Sequence, residues 1–116
     1  MTLDIEALSI RFEEQLRQVA VADSPFVTEA AGHLIAAGGK RFRPQLVYLA
    51  SEFGGEVDEE MLLKAALVME LTHVASLYHD DVMDEAEVRR SAPSANSRWG
   101  NSIAILIGDY LFAKAS

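Results

Sequence analysis

The stretch His79-Asp80-Asp81-Val82-Met83-Asp84 concentrates three carboxylates within five positions. On a helix, Asp80 and Asp84 are four apart and share a face, with their carboxylates one above the other. Asp81, three before Asp84, is expected beside them. Clustered like charges destabilise a helix unless something positive compensates. Hard divalent cations are the natural compensation, and Mg2+ in particular is held by one or two carboxylates together with substrate phosphates. Acidic helix ends are common, so the pattern gains its meaning from what surrounds it.

Three neighbours matter. His73 precedes Asp80 by seven residues, which places it near the same face two turns away. Arg89-Arg90 follows the carboxylates in a polar segment. Gly39-Lys40-Arg41-Phe42-Arg43-Pro44 sets three cations between a glycine pair and a helix start. Exposed backbone N–H groups and a helix N-terminus favour an anion there. The spacing is not that of a Walker loop. Each feature alone has a plain alternative: a packing histidine, a solvated arginine pair, ordinary surface charge.

The composition narrows the classes. The formal charge is −8, from 18 acidic and 10 basic residues. That balance argues against non-specific nucleic-acid binding, which needs a basic footprint. Five of the ten cations fall in the two clusters Lys40-Arg41-Arg43 and Arg89-Arg90, the distribution of a protein collecting a small anion. There is no cysteine, which excludes disulfides, thiol catalysis and cysteine–zinc sites and fits a reducing cytoplasm. Residues 1–20 mix charged with apolar side chains, so no secretory leader is expected. No apolar run approaches the ~20 residues of a membrane span.

The elements that must position these residues all read as helices. Ile5, Leu8, Phe12, Leu16 and Val19 recur at helical spacing and predict a helix over 3–20. Ser24-Pro25 opens a second helix, with Ser as cap, carrying Phe26, Ala30, Leu34 and Ala37 until Gly38-Gly39. Pro44 is expected to open a third, burying Leu46, Leu49, Ala50 and Phe53 before Gly54-Gly55. Asp58 caps the longest, 58 to about 84, a rod of roughly 40 Å. Residues 86–96 read as a loop. Asn101 is the expected cap of a last helix whose Ile103, Ala104, Ile105, Leu106 and Ile107 face all directions, implying burial on every side.

Taken in order, Gly39-Lys40-Arg41-Phe42-Arg43-Pro44, Glu70-Leu71-Thr72-His73, the aspartate cluster, Arg89-Arg90 and Gly108-Asp109-Tyr110-Leu111 resemble the polyprenyl synthetase family. These are trans-prenyltransferases that join isopentenyl diphosphate to an allylic diphosphate. The resemblance runs from about residue 30 onward. It implies an all-α fold, an isoprenoid synthase-type helical bundle, with 1–116 as the N-terminal part of a single helical domain holding its first five or so helices. It implies that Lys40, Arg43 and His73 bind the diphosphate of isopentenyl diphosphate, with Arg90 helping. Asp80 and Asp84 would be the Mg2+ ligands on the allylic diphosphate, supported by Asp81, and Arg89 would contact that same group. Arg41 receives no firm role. Ser91 stands where many relatives have Gly, which leaves the backbone there undetermined.

The resemblance also implies a homodimer and a cytoplasmic, non-membrane enzyme, without nucleic acid. A non-catalytic helical subunit or regulatory module from the same family is the alternative. Asp109 is the only acid after Glu87, so the family's second aspartate-rich motif is not within these residues. The 116-residue chain alone is therefore expected to lack condensation activity. Ala75 and Ser76 stand five and four residues before Asp80, where short-chain relatives carry a bulky aromatic floor. Their small size implies a long product.

Overall fold

The computed structural model describes residues 4–56 and 58–116. Six helices form: α1 (Ile5–Val19), α2 (Pro25–Ala36), α3 (Phe42–Ser51), α4 (Glu59–Met83), α5 (Ala95–Trp99) and α6 (Asn101–Ala115). Two short strands, β1 (Val88–Arg89) and β2 (Ala92–Pro93), pair antiparallel between α4 and α5.

Local chemistry sets most of the boundaries. Asp4 caps α1 by accepting from the Ala7 amide at 3.0 Å. Ser24 caps α2 by accepting from the Val27 amide at 3.3 Å, and Pro25 takes the first helical position, where its missing N–H costs nothing. Asp58 caps α4 through the Glu60 amide at 3.0 Å. Glu59 and Glu60 also accept from Arg11 at 2.8 and 2.9 Å, tying the start of α4 to the middle of α1.

The long helix α4 is the axis of the packing. It buries Leu62, Leu63, Ala66, Leu67, Leu71, Val74, Ala75, Leu77 and Tyr78, and its most extensive neighbours are α6 and then α3 and α1. The phenol of Tyr78 crosses to α2, donating to the Ala30 carbonyl at 2.5 Å, and burial pushes its pKa up to about 12. α6 approaches α4 closely at Gly108, where a Cβ would stand 2.4 Å from the His79 ring. His79 in turn meets the Ile105 carbonyl at 3.0 Å and the Asp109 carboxylate at 3.3 Å. The Gly108-Asp109 pair thus seats α6 on the turn of α4 that carries Asp80. By length and hydropathy α4 is also the one described helix able to cross a membrane, but more than half of that apolar window is buried inside the bundle.

Several expectations are corrected. α3 starts at Phe42, two residues before Pro44, launched by Arg41 in the left-handed conformation (φ +52). Pro44 still lies in the first turn, where no intrahelical N–H bond is required. The buried face of α3 is Pro44 and Tyr48, whereas Leu46, Leu49 and Ala50 are exposed and Phe53 is 95% exposed. Phe26 is exposed too, resting edge-on against Trp99. Asn101 does not cap α6; Gly100 (φ +93) occupies that position without a side-chain bond. α6 buries Ala104, Ile107, Gly108 and Leu111 but leaves Ile105 and Leu106 in solvent. The segment read as a loop contains the β1–β2 hairpin and the first two residues of α5.

Candidate functional site

The chemistry gathers where α4 ends. Asp84 closes the helix, its amide donating to the Asp80 carbonyl at 2.8 Å, and Glu85 takes a left-handed turn (φ +54). The Ala86 amide then bonds the Asp81 carbonyl at 2.9 Å. Ala86's own carbonyl accepts from Ser94 Oγ at 2.6 Å and from Asn96 Nδ2 at 2.9 Å, which pins the base of the hairpin. The register Val88↔Pro93 and Arg89↔Ala92 leaves Arg90 and Ser91 as a two-residue loop. Both have positive φ, +54 and +64, as a type I′ turn requires. Ser91 therefore adopts the glycine-favouring conformation despite its side chain, at a cost of about 1 kcal/mol.

The three aspartates separate by environment. Asp80 is half-buried and Asp84 exposed, one turn apart, and neither makes a side-chain hydrogen bond or ion pair among the described residues. Asp81 instead points into the bundle with a side chain 1% exposed. Its Oδ1 accepts from Arg89 Nε at 2.9 Å and Nη2 at 2.5 Å, and its Oδ2 is buried with no partner. The expected place of Asp81 beside the other two is thus corrected: one residue is 100° of helical turn, enough to aim it at the hairpin rather than at solvent. Among the described residues no three His, Asp or Glu side chains converge to hold a metal unaided.

His73 connects the aspartates to the cations. Burial lowers its pKa below the ordinary 6.5, the charges of Arg43, Arg90 and Arg89 lower it further in that order, and only Asp80 opposes them. Three segments far apart in sequence, carrying Arg43, His73 and Arg89-Arg90, are thus close enough for their charges to act on His73, as does that of Asp80. Lys40 and Arg43 are exposed and make no ion pair among the described residues. Arg41 and Arg90 are spoken for. Arg41 donates to Glu13 at 2.6 Å and to the Ile35 carbonyl at 3.1 Å, and Arg90 donates to the Leu34 carbonyl at 2.9 Å.

Ser76 is half-buried, its hydroxyl turned back to the His73 carbonyl at 2.6 Å. Ala75 is fully buried on the flank that α6 covers; a Cβ on Gly108 would stand 3.3 Å from its carbonyl oxygen. Sequence reasoning missed Glu70, buried between Arg41 and Arg90. A signal existed: it is the only acid between Glu60 and Asp80 in an otherwise mostly apolar run. A separate hollow of about 370 Å³ opens between α1, α2 and α5, lined in part by Arg17, Thr28, Glu29, His33 and Arg98. It does not touch the patch at the end of α4.

Residues 24–116 match the family model described as Polyprenyl synthetase. Nonaprenyl diphosphate synthase of Mycobacterium tuberculosis is 58% identical over 84 residues, 72% of this chain and 25% of that protein. Heptaprenyl diphosphate synthase component 2 of Geobacillus stearothermophilus is 46% identical over 103 residues, 89% of this chain and 32% of that one. Among solved structures, heptaprenyl diphosphate synthase from Staphylococcus aureus superposes with a TM-score of 0.92 at 33% identity, over 99% of this chain and 36% of its own. The polyprenyl synthase from Caulobacter crescentus, solved with calcium and isoprenyl diphosphate, gives 0.88 at 36% identity over 95% and 33%. The chain spans about a quarter to a third of the length of these relatives.

Proposed function

The chain belongs to the polyprenyl synthetase family, and from that premise we propose that it supplies the diphosphate-binding face of a trans-prenyltransferase condensing isopentenyl diphosphate with an allylic diphosphate. The observation that carries this is that Arg43, Arg89, Arg90 and Asp80, from three separate segments, all act on His73 near the end of α4. Lys40 and Arg43, without ion-pair partners among the described residues, bind the diphosphate of isopentenyl diphosphate. His73, held toward its neutral form, donates a hydrogen bond to the same group. Arg90 borders that site, and Arg89, held by Asp81, faces the allylic diphosphate.

Asp80 and Asp84 suit Mg2+: two carboxylates one turn apart, without side-chain partners among the described residues, leave the remaining positions to water and phosphate oxygens, as this ion prefers. The ion's contribution is to neutralise the charge that grows on the departing allylic diphosphate. Asp81 does its part by orientation, fixing the Arg89 guanidinium before substrate arrives. The apolar flank of α4 excludes water from the carbocation left when the allylic C–O bond breaks. The isopentenyl double bond attacks that cation, and proton loss restores the alkene. Small side chains at Ala75 and Ser76 favour a long product, in line with the nonaprenyl and heptaprenyl names of two relatives. A homodimer that covers Ile105 and Leu106 of α6, working in the cytoplasm, completes the proposal.

The test is a chimera in which this chain replaces the matching N-terminal segment of the M. tuberculosis relative. Mg2+-dependent incorporation of labelled isopentenyl diphosphate is expected. Asp80→Ala should abolish turnover, while Lys40→Ala should mainly raise KM for isopentenyl diphosphate. A folded chimera that neither binds nor consumes isopentenyl diphosphate would contradict the proposal.

A further inference from the structure

Glu70 is 2% exposed, one turn before His73 on α4, and its Oε1 lies 3.7 Å from Arg41 Nη1 and 3.8 Å from Arg90 Nη2. These arginines come from different places. Arg41 launches α3 from a left-handed residue; Arg90 is the left-handed first residue of the hairpin turn. Between them lies Gly39. A Cβ there would meet Arg41 Nη1 and Arg90 Cζ, each at 3.0 Å, so the glycine backbone rests directly on both guanidiniums. Lys40 lies between Gly39 and Arg41 and Arg43 two residues beyond Arg41, both without ion pairs among the described residues.

We propose that Glu70 is a positioning residue for the diphosphate-binding loop: it holds Arg41 and Arg90 together beneath Gly39 and so fixes Lys40 and Arg43 relative to His73. This rests on the prenyltransferase reading of the site and adds a residue that does not itself touch substrate. The charge arithmetic is specific. Arg41 has a second carboxylate, Glu13, but among the described residues the only carboxylate paired with Arg90 is Glu70. Arg90's pKa is lowered chiefly by burial and then by the charge of Arg41, with Glu70 the largest opposing influence. Without the Glu70 charge, two largely buried guanidiniums face each other under a loop that has no side chain to hold it. The hairpin and the loop then separate, and Arg43 moves away from His73.

The test is calorimetric titration of the 116-residue chain with inorganic diphosphate, at a temperature where circular dichroism shows each variant folded. Glu70→Gln keeps the shape and removes the charge; it should weaken binding about tenfold, the equivalent of one charge-assisted contact. Glu70→Asp, which restores the charge one methylene further back, should recover part of that loss. Arg98→Gln, in the separate hollow, should bind as the unaltered chain does. A purely structural role predicts lower melting temperatures with unchanged affinity, so folded Glu70→Gln binding within twofold of the unaltered chain would overturn the inference. Should Glu70→Gln not fold, Glu70→Asp decides: about threefold weaker binding supports the role, and unchanged affinity overturns it. Failure of the unaltered chain to bind diphosphate at all is a different result. It would overturn the functional proposal first, and the role of Glu70 with it.

Discussion

The hollow between α1, α2 and α5 has Arg17, His33 and Arg98 around it, and the end of α4 has Arg43, His73, Arg89 and Arg90. By shape the hollow is the better cavity. By charge two of its three basic groups are occupied: Arg98 reaches Glu29 at 2.5 Å and lies 4.4 Å over the Trp99 ring, and His33 meets the Pro93 carbonyl at 2.5 Å, which leaves Arg17. At the end of α4 the inner cations are also paired, but with buried carboxylates, Asp81 and Glu70, on the long helix itself. Those pairs cost desolvation and fix geometry. They leave Lys40 and Arg43 free at the surface. In the proposed reading, unpaired cations on a framework of buried ion pairs mark the anion site, and concavity does not.

The comparison breaks most easily at Asp81. Asp81→Ala leaves Arg89 without its carboxylate; because Arg89 reaches solvent, the expected destabilisation is about 2–3 kcal/mol, below that of a fully buried pair. Urea unfolding measures it, and a loss no larger than that of Arg98→Gln would erase the distinction between the two regions.

The second effect is on pH. His73 has a folded pKa below its ordinary 6.5. Below 6.5 the unfolded chain takes up a proton that the folded chain resists, so this contribution is intact above 6.5. It is lost as pH falls from 6.5 through the lowered folded value. His73→Gln should flatten that part of the stability profile. A slope unchanged by the substitution would show that neither burial nor the three arginines lowers the His73 pKa.

Smaller is the hairpin. Ser91→Gly removes the left-handed penalty and should stabilise by about 0.5 kcal/mol once the added freedom of the unfolded chain is subtracted. Destabilisation would mean that the Ser91 hydroxyl contributes something the backbone geometry does not reveal. Smallest is Arg98→Gln in the hollow, an exposed pair expected to cost no more than about 0.5 kcal/mol and to cost less still in high salt.

What could be seen in the sequence was what is decided locally. The caps at Ser24 and Asp58, the length of α4 and the turn between Asp80 and Asp84 depend on residues a few positions apart. The stripe of α3 was misjudged because hydrophobicity pointed to Leu46, Leu49 and Phe53, while the interior took Pro44 and Tyr48. The Arg90-Ser91 turn lacks the Gly or Asn that would announce it. Glu70 and Arg41 acquire their meaning from meeting across 29 residues, and no spacing rule reports such a meeting. Asp81 was placed with its neighbours by sequence and parted from them by the wheel.

The account turns on where isopentenyl diphosphate lands. Two-dimensional amide NMR of the isotope-labelled chain, titrated with isopentenyl diphosphate, answers this most directly. Saturable shifts confined to Gly39–Arg43, His73 and Arg89–Ser91 are the predicted result. Shifts gathered instead around Arg17, His33 and Arg98, or none at all, would contradict it.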